Sequence, residues 1–186
     1  MRGMGTRRLF AGVAIETTEA LRRLLGEWKA GLEGERIRWV QPANLHITVE
    51  FFGAVEEGRL PELENALAAA AGRASAFRLA LGGAGVFGGM RHPRVLWLGV
   101  ESAGLAALHG QVADALREAG WEAEGRPYAP HLTLGRIGGL KDVRRFRELV
   151  ERNRNVPAGE QGVDELVLLE SVAGRYVPVR TWGLGR

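Results

Sequence analysis

The sequence predicts an α+β fold of two lobes, each an antiparallel sheet with helices, related by a pseudo-twofold axis and separated by a central cleft. Three observations predict it. The strings His46-Ile47-Thr48-Val49 and His131-Leu132-Thr133-Leu134 nearly repeat each other. Each sits in a similar order of strand, helix, strand, motif strand, helix and strand. The two histidines lie 85 positions apart in a chain of 186 residues, close to half its length. The expected organisation is one bilobal domain with approximate sequence halves 1–91 and 92–186, each carrying one motif.

The elements follow in order. Residues 7–15 read as a first strand. Thr17 or Thr18 caps a helix whose apolar stripe is Leu21, Leu24, Leu25, Trp28 and Leu32. A short strand is expected at 37–40, a turn at 41–44, and the first motif strand at 45–52, closed by Gly53. Residues 60–73 form a helix that tolerates Pro61 in its first turn. A strand at 77–81 leads into a glycine-rich stretch at 82–89. Residues 94–100 are a strand, and 103–119 a helix with Leu105, Leu108, Val112 and Leu116 on one stripe, ended by Gly120. A short strand at 121–124 and an exposed link at 125–130 precede the second motif strand, 131–136. Asp142 caps a helix running to about 153, and strands at 163–172 and 176–184 close the chain around an Ala173-Gly174 turn.

An apolar content of 46% is ample for a core. There is no cysteine, which removes disulfides, a thiol nucleophile and thiolate metal sites. No apolar run approaches a membrane span, and the start of the chain lacks a small-residue cleavage site, so the expected setting is the cytoplasm, with no membrane partner. The net charge of +3 is carried almost wholly by arginine, the only lysines being Lys29 and Lys141. This permits an RNA or nucleotide partner without requiring one.

In a strand, residues i and i+2 share a face. Each motif therefore presents an imidazole beside a hydroxyl, with two apolar side chains behind them. A lone His-x-Thr is ordinarily a packed strand residue next to a good strand former. Two copies among four histidines and six threonines are a different matter. Two imidazoles near neutral pKa supply an acid and a base, and Thr48 and Thr133 supply donors for phosphoryl oxygens. Neither His92 nor His109 shows metal-ligand spacing with the motif histidines; His92 is expected in an exposed loop and His109 on a helix surface. Tyr128 is a candidate for stacking on a base, with packing as an equal alternative. Phe51 is expected in the core, because strand parity points it away from His46. Glu50, by the same parity, is expected beside His46 and Thr48. The cluster Arg144, Arg145, Arg147, Arg152 and Arg154 is either a solvated face or an RNA-backbone track.

The two motifs, together with Arg8-Leu9-Phe10, Arg38-Trp39-Val40, Asn44-Leu45, Phe51-Phe52-Gly53, the strand 94–99, Pro130, Arg136 and Glu170-Ser171, resemble the 2H phosphoesterase superfamily over nearly the whole chain. The resemblance is closest to the RNA 2′,3′-cyclic phosphodiesterases, also called 2′-5′ RNA ligases. It implies metal-independent, cofactor-free hydrolysis of RNA 2′,3′-cyclic phosphate ends, or of nucleotides that bear them, to 2′-phosphates. It further implies that His46 is the proton donor, that His131 is the proton acceptor, and that Arg136 helps to bind phosphate. Family members often carry a basic or small residue where this chain has Glu50. The expected enzyme is a monomer. The alternatives are another phosphodiesterase of the same superfamily, acting on 2′-5′ linkages or other cyclic phosphates with possible reverse ligation, and a non-catalytic RNA-binding module.

Overall fold

Caps and apolar stripes set the helices. The Thr18 hydroxyl accepts the Leu21 N–H (3.3 Å) ahead of α1 (Glu19–Gly31), whose Leu21, Leu24, Leu25 and Trp28 are buried. Ser102 caps α3 (Ala103–Glu118) through Leu105 N–H, and the Asp142 carboxylate caps α4 (Val143–Arg152) through Arg145 N–H. The remaining helix, α2 (Leu60–Arg73), buries Leu63, Leu67 and three alanines. The computed structural model describes residues 5–121 and 127–185.

The strands are β1 (Thr6–Ala14), β2 (Arg36–Trp39), β3 (His46–Glu56), β4 (Phe77–Phe87), β5 (Val95–Glu101), β6 (His131–Gly139), β7 (Pro157–Val163), β8 (Glu165–Val172) and β9 (Arg175–Gly183). They form one antiparallel sheet in the order β7-β4-β5-β6-β3-β1-β8-β9, with β2 beside β6. The order reads alike outward from its middle, where β3 meets β6 at the pair Ile47–Leu132. One wing is β6, β5, β4 and β7; the other is β3, β1, β8 and β9. Only Asp164 separates the end of β7 from the start of β8, although these strands belong to opposite wings. The sheet therefore curls, and its hollow is the cleft between the wings.

The wings are not the sequence halves 1–91 and 92–186. β4 follows α2 yet pairs with β5, and β8 lies after α4 yet pairs with β1. Each half thus lends two strands to the opposite wing, β2 and β4 from the first and β8 and β9 from the second, because the open edges beside the motif strands must find backbone partners. Further differences are local. β4 continues through the glycine-rich stretch to Phe87, and β7 was not expected at all. The strand expected at 163–172 breaks at Asp164. Of the strand expected at 121–124, Trp121 lies outside any strand and the rest falls outside the described residues.

Glycines allow two close approaches that shape the cleft. A Cβ on Gly85 would lie 2.3 Å from the Trp97 indole, so the indole lies flat across that glycine. A Cβ on Gly12 would lie 2.8 Å from the Ile47 carbonyl. Here the obstacle is the backbone of the first motif strand itself, which cannot swing aside as a side chain can. We expect Gly12→Ala to lower the denaturant midpoint by the equivalent of about 1–3 kcal/mol at unchanged m-value, as overpacking does. An unchanged midpoint would show that β1 and β3 tolerate a methyl group between them.

Candidate active site

The antiparallel register of β3 against β6 fixes the site. With Ile47 opposite Leu132, His46 stands across from Thr133 and Thr48 across from His131. Ile47, Val49, Leu132 and Leu134 are buried on one face, while both His-Thr pairs are only partly buried on the other. His46, Thr48, His131, Thr133 and Arg136 all line one cleft of ≈ 530 Å³.

Each imidazole is tied down in the same way. His46 Nδ1 lies 2.7 Å from the Asn44 carbonyl, and His131 Nδ1 lies 2.9 Å from the Ala129 carbonyl. A carbonyl only accepts, so Nδ1 carries the proton in both rings. Nε2 is then the nitrogen left to exchange a proton with a substrate. The 3-10 turn Pro42–Asn44 supplies the first carbonyl, and the Asn44 side-chain oxygen accepts the Tyr176 N–H (3.5 Å) from β9. Aromatic edges hold the rings. His46 meets Tyr176 at 81° with centroids 4.7 Å apart, and His131 meets Phe87 at 85° and 4.8 Å. Phe10 packs on His46 from β1, and Trp97 backs Phe87. Burial lowers the His46 pKa below the ordinary imidazole range; the Asn44 hydrogen bond opposes the shift, and the charges of His131 and Arg136 add to it.

Tyr128 does not line this cleft. It stacks on His109 with centroids 4.0 Å apart and planes 2° from parallel, and its hydroxyl donates to the Thr48 carbonyl (3.2 Å). Burial first, and then the Glu50 carboxylate, push its phenol well above the ordinary range, so it remains a donor. Tyr128 therefore braces the first motif strand and has one ring face covered. It lies in an adjoining groove of ≈ 390 Å³ with Glu50, Phe51, Phe87 and His109. His109 is not on an open helix surface as expected. It is half-buried, with Nε2 3.6 Å from Glu50 Oε2, too long for a hydrogen bond. Burial lowers the His109 pKa.

A register shift explains two further departures. Ala11 pairs with Glu50 and Gly12 with Thr48, which leaves Val49 as the extra residue of a bulge. Beyond the bulge the parity changes. Phe51 is 56% exposed and lines the cleft, while Glu50 turns to the adjoining groove beside His109 rather than His46. Arg8, Phe10 and Tyr176 are also wall residues that the motif reading did not single out. Arg8 and Phe10 lie in a recognisable string, but Tyr176 reaches the cleft only through the long-range pairing of β9. His92 is exposed in a loop, as expected. Among the described residues, no three His, Cys, Asp or Glu side chains stand close enough to hold a metal ion, and no helix is long and apolar enough to cross a membrane.

Chemically, the cleft offers two proton-transfer nitrogens on opposing strands, two hydroxyls between them and an arginine fork at the side. That set matches a tetrahedral anion attacked on one side and cleaved on the other.

The 2′-5′ RNA ligase superfamily model matches residues 15–175. The chain is 33% identical over 174 residues to the RNA 2′,3′-cyclic phosphodiesterase of Methanothermobacter thermautotrophicus, covering 92% of this chain and 94% of that protein. TT0787 of Thermus thermophilus superposes with a TM-score of 0.77 at 25% identity, covering 95% and 97% of the two chains. Escherichia coli LigT complexed with 3′-AMP superposes with a TM-score of 0.70 at 30% identity, covering 97% and 99%.

The lowered imidazoles have a consequence for stability. His46 and His109 bind protons less readily folded than unfolded, so between their lowered values and about 6.5 the unfolded chain holds more protons. Stability is full above about 6.5 and falls as pH drops below it, before the carboxylates titrate. Denaturant unfolding between pH 8 and 5 is expected to show this decline, and His109→Gln to flatten it. A stability that is constant or rising toward pH 5 would contradict the burial of these rings.

Proposed function

The chain belongs to the 2′-5′ RNA ligase superfamily, and on that footing we propose that it hydrolyses RNA 2′,3′-cyclic phosphate ends to 2′-phosphates by acid–base catalysis between His46 and His131. The observation that carries this reading is the pair of imidazoles, each with Nδ1 on a backbone carbonyl, facing one cleft across paired strands. The relatives that bear this activity by name match over nearly the full chain and support the substrate class.

In this mechanism His131 Nε2 takes a proton from water as the water oxygen attacks phosphorus. The bond from phosphorus to the 3′ oxygen breaks, and His46 Nε2 delivers a proton to that oxygen. The products are a 3′-hydroxyl and a 2′-phosphate, with one water consumed. Thr48 and Thr133 donate to the non-bridging oxygens, and Arg136 adds a charged fork. No metal, ATP or covalent intermediate is needed, and the proposed enzyme is a cytoplasmic monomer. Burial favours the neutral form of His46 more than is ideal for an acid. The bound phosphodiester anion favours its protonation, since an opposite charge raises an imidazole pKa.

This gives a specific pH signature. The alkaline limb of kcat/KM reports the acid in the free enzyme, and that of kcat reports it with substrate bound. The kcat/KM limb is expected below the ordinary imidazole value and the kcat limb at higher pH. Coincident limbs would mean that bound phosphate does not reach His46.

The roles are tested on 2′,3′-cyclic AMP, a cyclic-phosphate-ended RNA and a 2′-5′ dinucleotide, with EDTA in excess. Turnover is expected on the first two and is expected to survive the chelator. Exclusive cleavage of the 2′-5′ linkage would reassign the substrate, and EDTA loss reversed by a divalent ion would refute the metal-free route. His46→Ala and His131→Ala should each lower kcat/KM by about 10²–10⁴, with the double variant little worse than the poorer single. A phosphodiester of 4-nitrophenol, whose leaving group needs no proton, should rescue His46→Ala alone. Rescue of His131→Ala instead would reverse the assignment. Arg136→Ala should raise KM and slow turnover; wild-type kinetics would remove Arg136 from the site.

A further inference from the structure

The arginines of this chain differ in how far the fold engages their charge. Many sit on carboxylates: Arg73 on Glu118 (2.8 Å), Arg144 on Glu148 (2.9 Å), Arg180 on Glu64 (2.5 Å). Most of the basic cluster of α4 belongs here. Arg145 bonds the Glu33 carbonyl and stands 3.6 Å from Glu35, Arg147 bonds the Met90 carbonyl, and Arg154 pairs with Glu151. Arg144, Arg145, Arg147 and Arg154 are thus held by contacts within the fold, whereas Arg152 has none among the described residues, which makes this helix the weaker candidate for a nucleic-acid track.

Several arginines have no such partner among the described residues; Arg23, Arg91, Arg94, Arg152 and Arg175 lie outside the cleft lining, whereas Arg8 and Arg136 line the cleft and Arg38 stands beside it. Arg8, Arg38 and Arg136 have no ion pair or hydrogen bond among the described residues, and all three are exposed. Arg38 of β2 is the direct cross-strand partner of Arg136 of β6. Two like charges directly opposed on neighbouring strands repel, and neither side chain is buried to compensate. Stability alone does not favour that arrangement; a polyanionic strand that passes over both guanidiniums, with a separate phosphate at each, does. Arg136 lines the cleft, Arg38 lies one strand beyond it, and Arg36 follows two residues along β2, also exposed. The cationic line therefore starts at the phosphate cleft and leads away from the histidines.

We infer that Arg38, continued by Arg36, binds the phosphodiester backbone upstream of the reacting phosphate, so that the 3′ end of an RNA strand is held more tightly than a free cyclic nucleotide. This deepens the proposed function and rests on its placing of the terminal phosphate between the histidines. One strand end fits the observations better than a duplex, since the line is a single row on one strand of the sheet.

The test uses the intact protein and two probes. The first is a 5′-fluorescein decaribonucleotide ending in a 2′-phosphate, titrated by anisotropy at several salt concentrations. It does not react, so binding is read without turnover. The second is 2′,3′-cyclic AMP, followed by hydrolysis. Arg38→Ala is expected to weaken decamer binding by about 10-fold and to lower the magnitude of the log K against log salt slope by about 0.7, with about twice that reduction in slope for the Arg36→Ala/Arg38→Ala double variant. Its kcat/KM on 2′,3′-cyclic AMP should stay within about twofold of wild type, which also shows that the variant folds. Arg38→Lys should keep the slope and recover part of the affinity, as charge without the fork would. Unchanged binding and slope in Arg38→Ala would overturn the inference. Equal losses on both probes would also overturn it, by moving Arg38 onto the reacting phosphate. Failure of the wild-type protein to open the cyclic nucleotide would instead sink the proposed function, whatever the binding arm shows.

Discussion

The backbone pairing of Ile47 with Leu132 is the joint on which the site depends. It is the register at which the two wings of the sheet meet. It sets His46 across from Thr133 and Thr48 across from His131, and it turns four apolar side chains into the core behind them. The pattern is self-enforcing. A slip of one residue would carry the imidazoles and hydroxyls into the interior and the apolar residues to water. The energy that selects the register is apolar burial, at about 25 cal/mol per Å², whereas the chemistry is on the opposite face. Folding and function thus read the same alternation from opposite sides.

Around that joint the protein accepts local costs. His46 is held against Phe10 and Tyr176 in surroundings that disfavour its charge, and Arg8 and Arg136 line the cleft without carboxylate partners among the described residues. Both make sense if an anion completes the cleft. Rigidity comes from neutral contacts instead: backbone carbonyls on both Nδ1 atoms, aromatic edges on both rings, and the Tyr128 hydroxyl on the Thr48 carbonyl. None of these weakens when the substrate charge arrives, so the rings can change protonation without losing their orientation.

Much of this was legible in the sequence, for a local reason. Strand parity and helical stripes act over a few residues, so the motif strands, the caps at Thr18 and Asp142, and the bounds of α2 could be read directly. The exchange of β4 and β8 between wings could not, because nothing local in either strand names its partner. β7 was hidden by its composition: only Ala158 and Val163 of Pro157–Val163 are buried. The glycines of β4 looked like a loop because their purpose lies across the sheet, in the Trp97 indole that crosses Gly85. Phe51 and Glu50 were exchanged by one bulge, whose cause is the pairing of β3 with β1 rather than anything in the motif. Tyr128 was singled out for the right neighbourhood and the wrong contact, since its stacking partner His109 comes from α3.

The central claim is that the two strands build one phosphate site served from opposite sides by two Nε2 atoms. A crystal structure with a bound 2′-phosphate nucleotide tests it most directly. The account requires the phosphorus to lie between His46 Nε2 and His131 Nε2, with the Thr48 and Thr133 hydroxyls on its non-bridging oxygens and both Nδ1 atoms still on their backbone carbonyls. A phosphate held by the arginines alone, or with both imidazoles on the same side of it, would contradict the account.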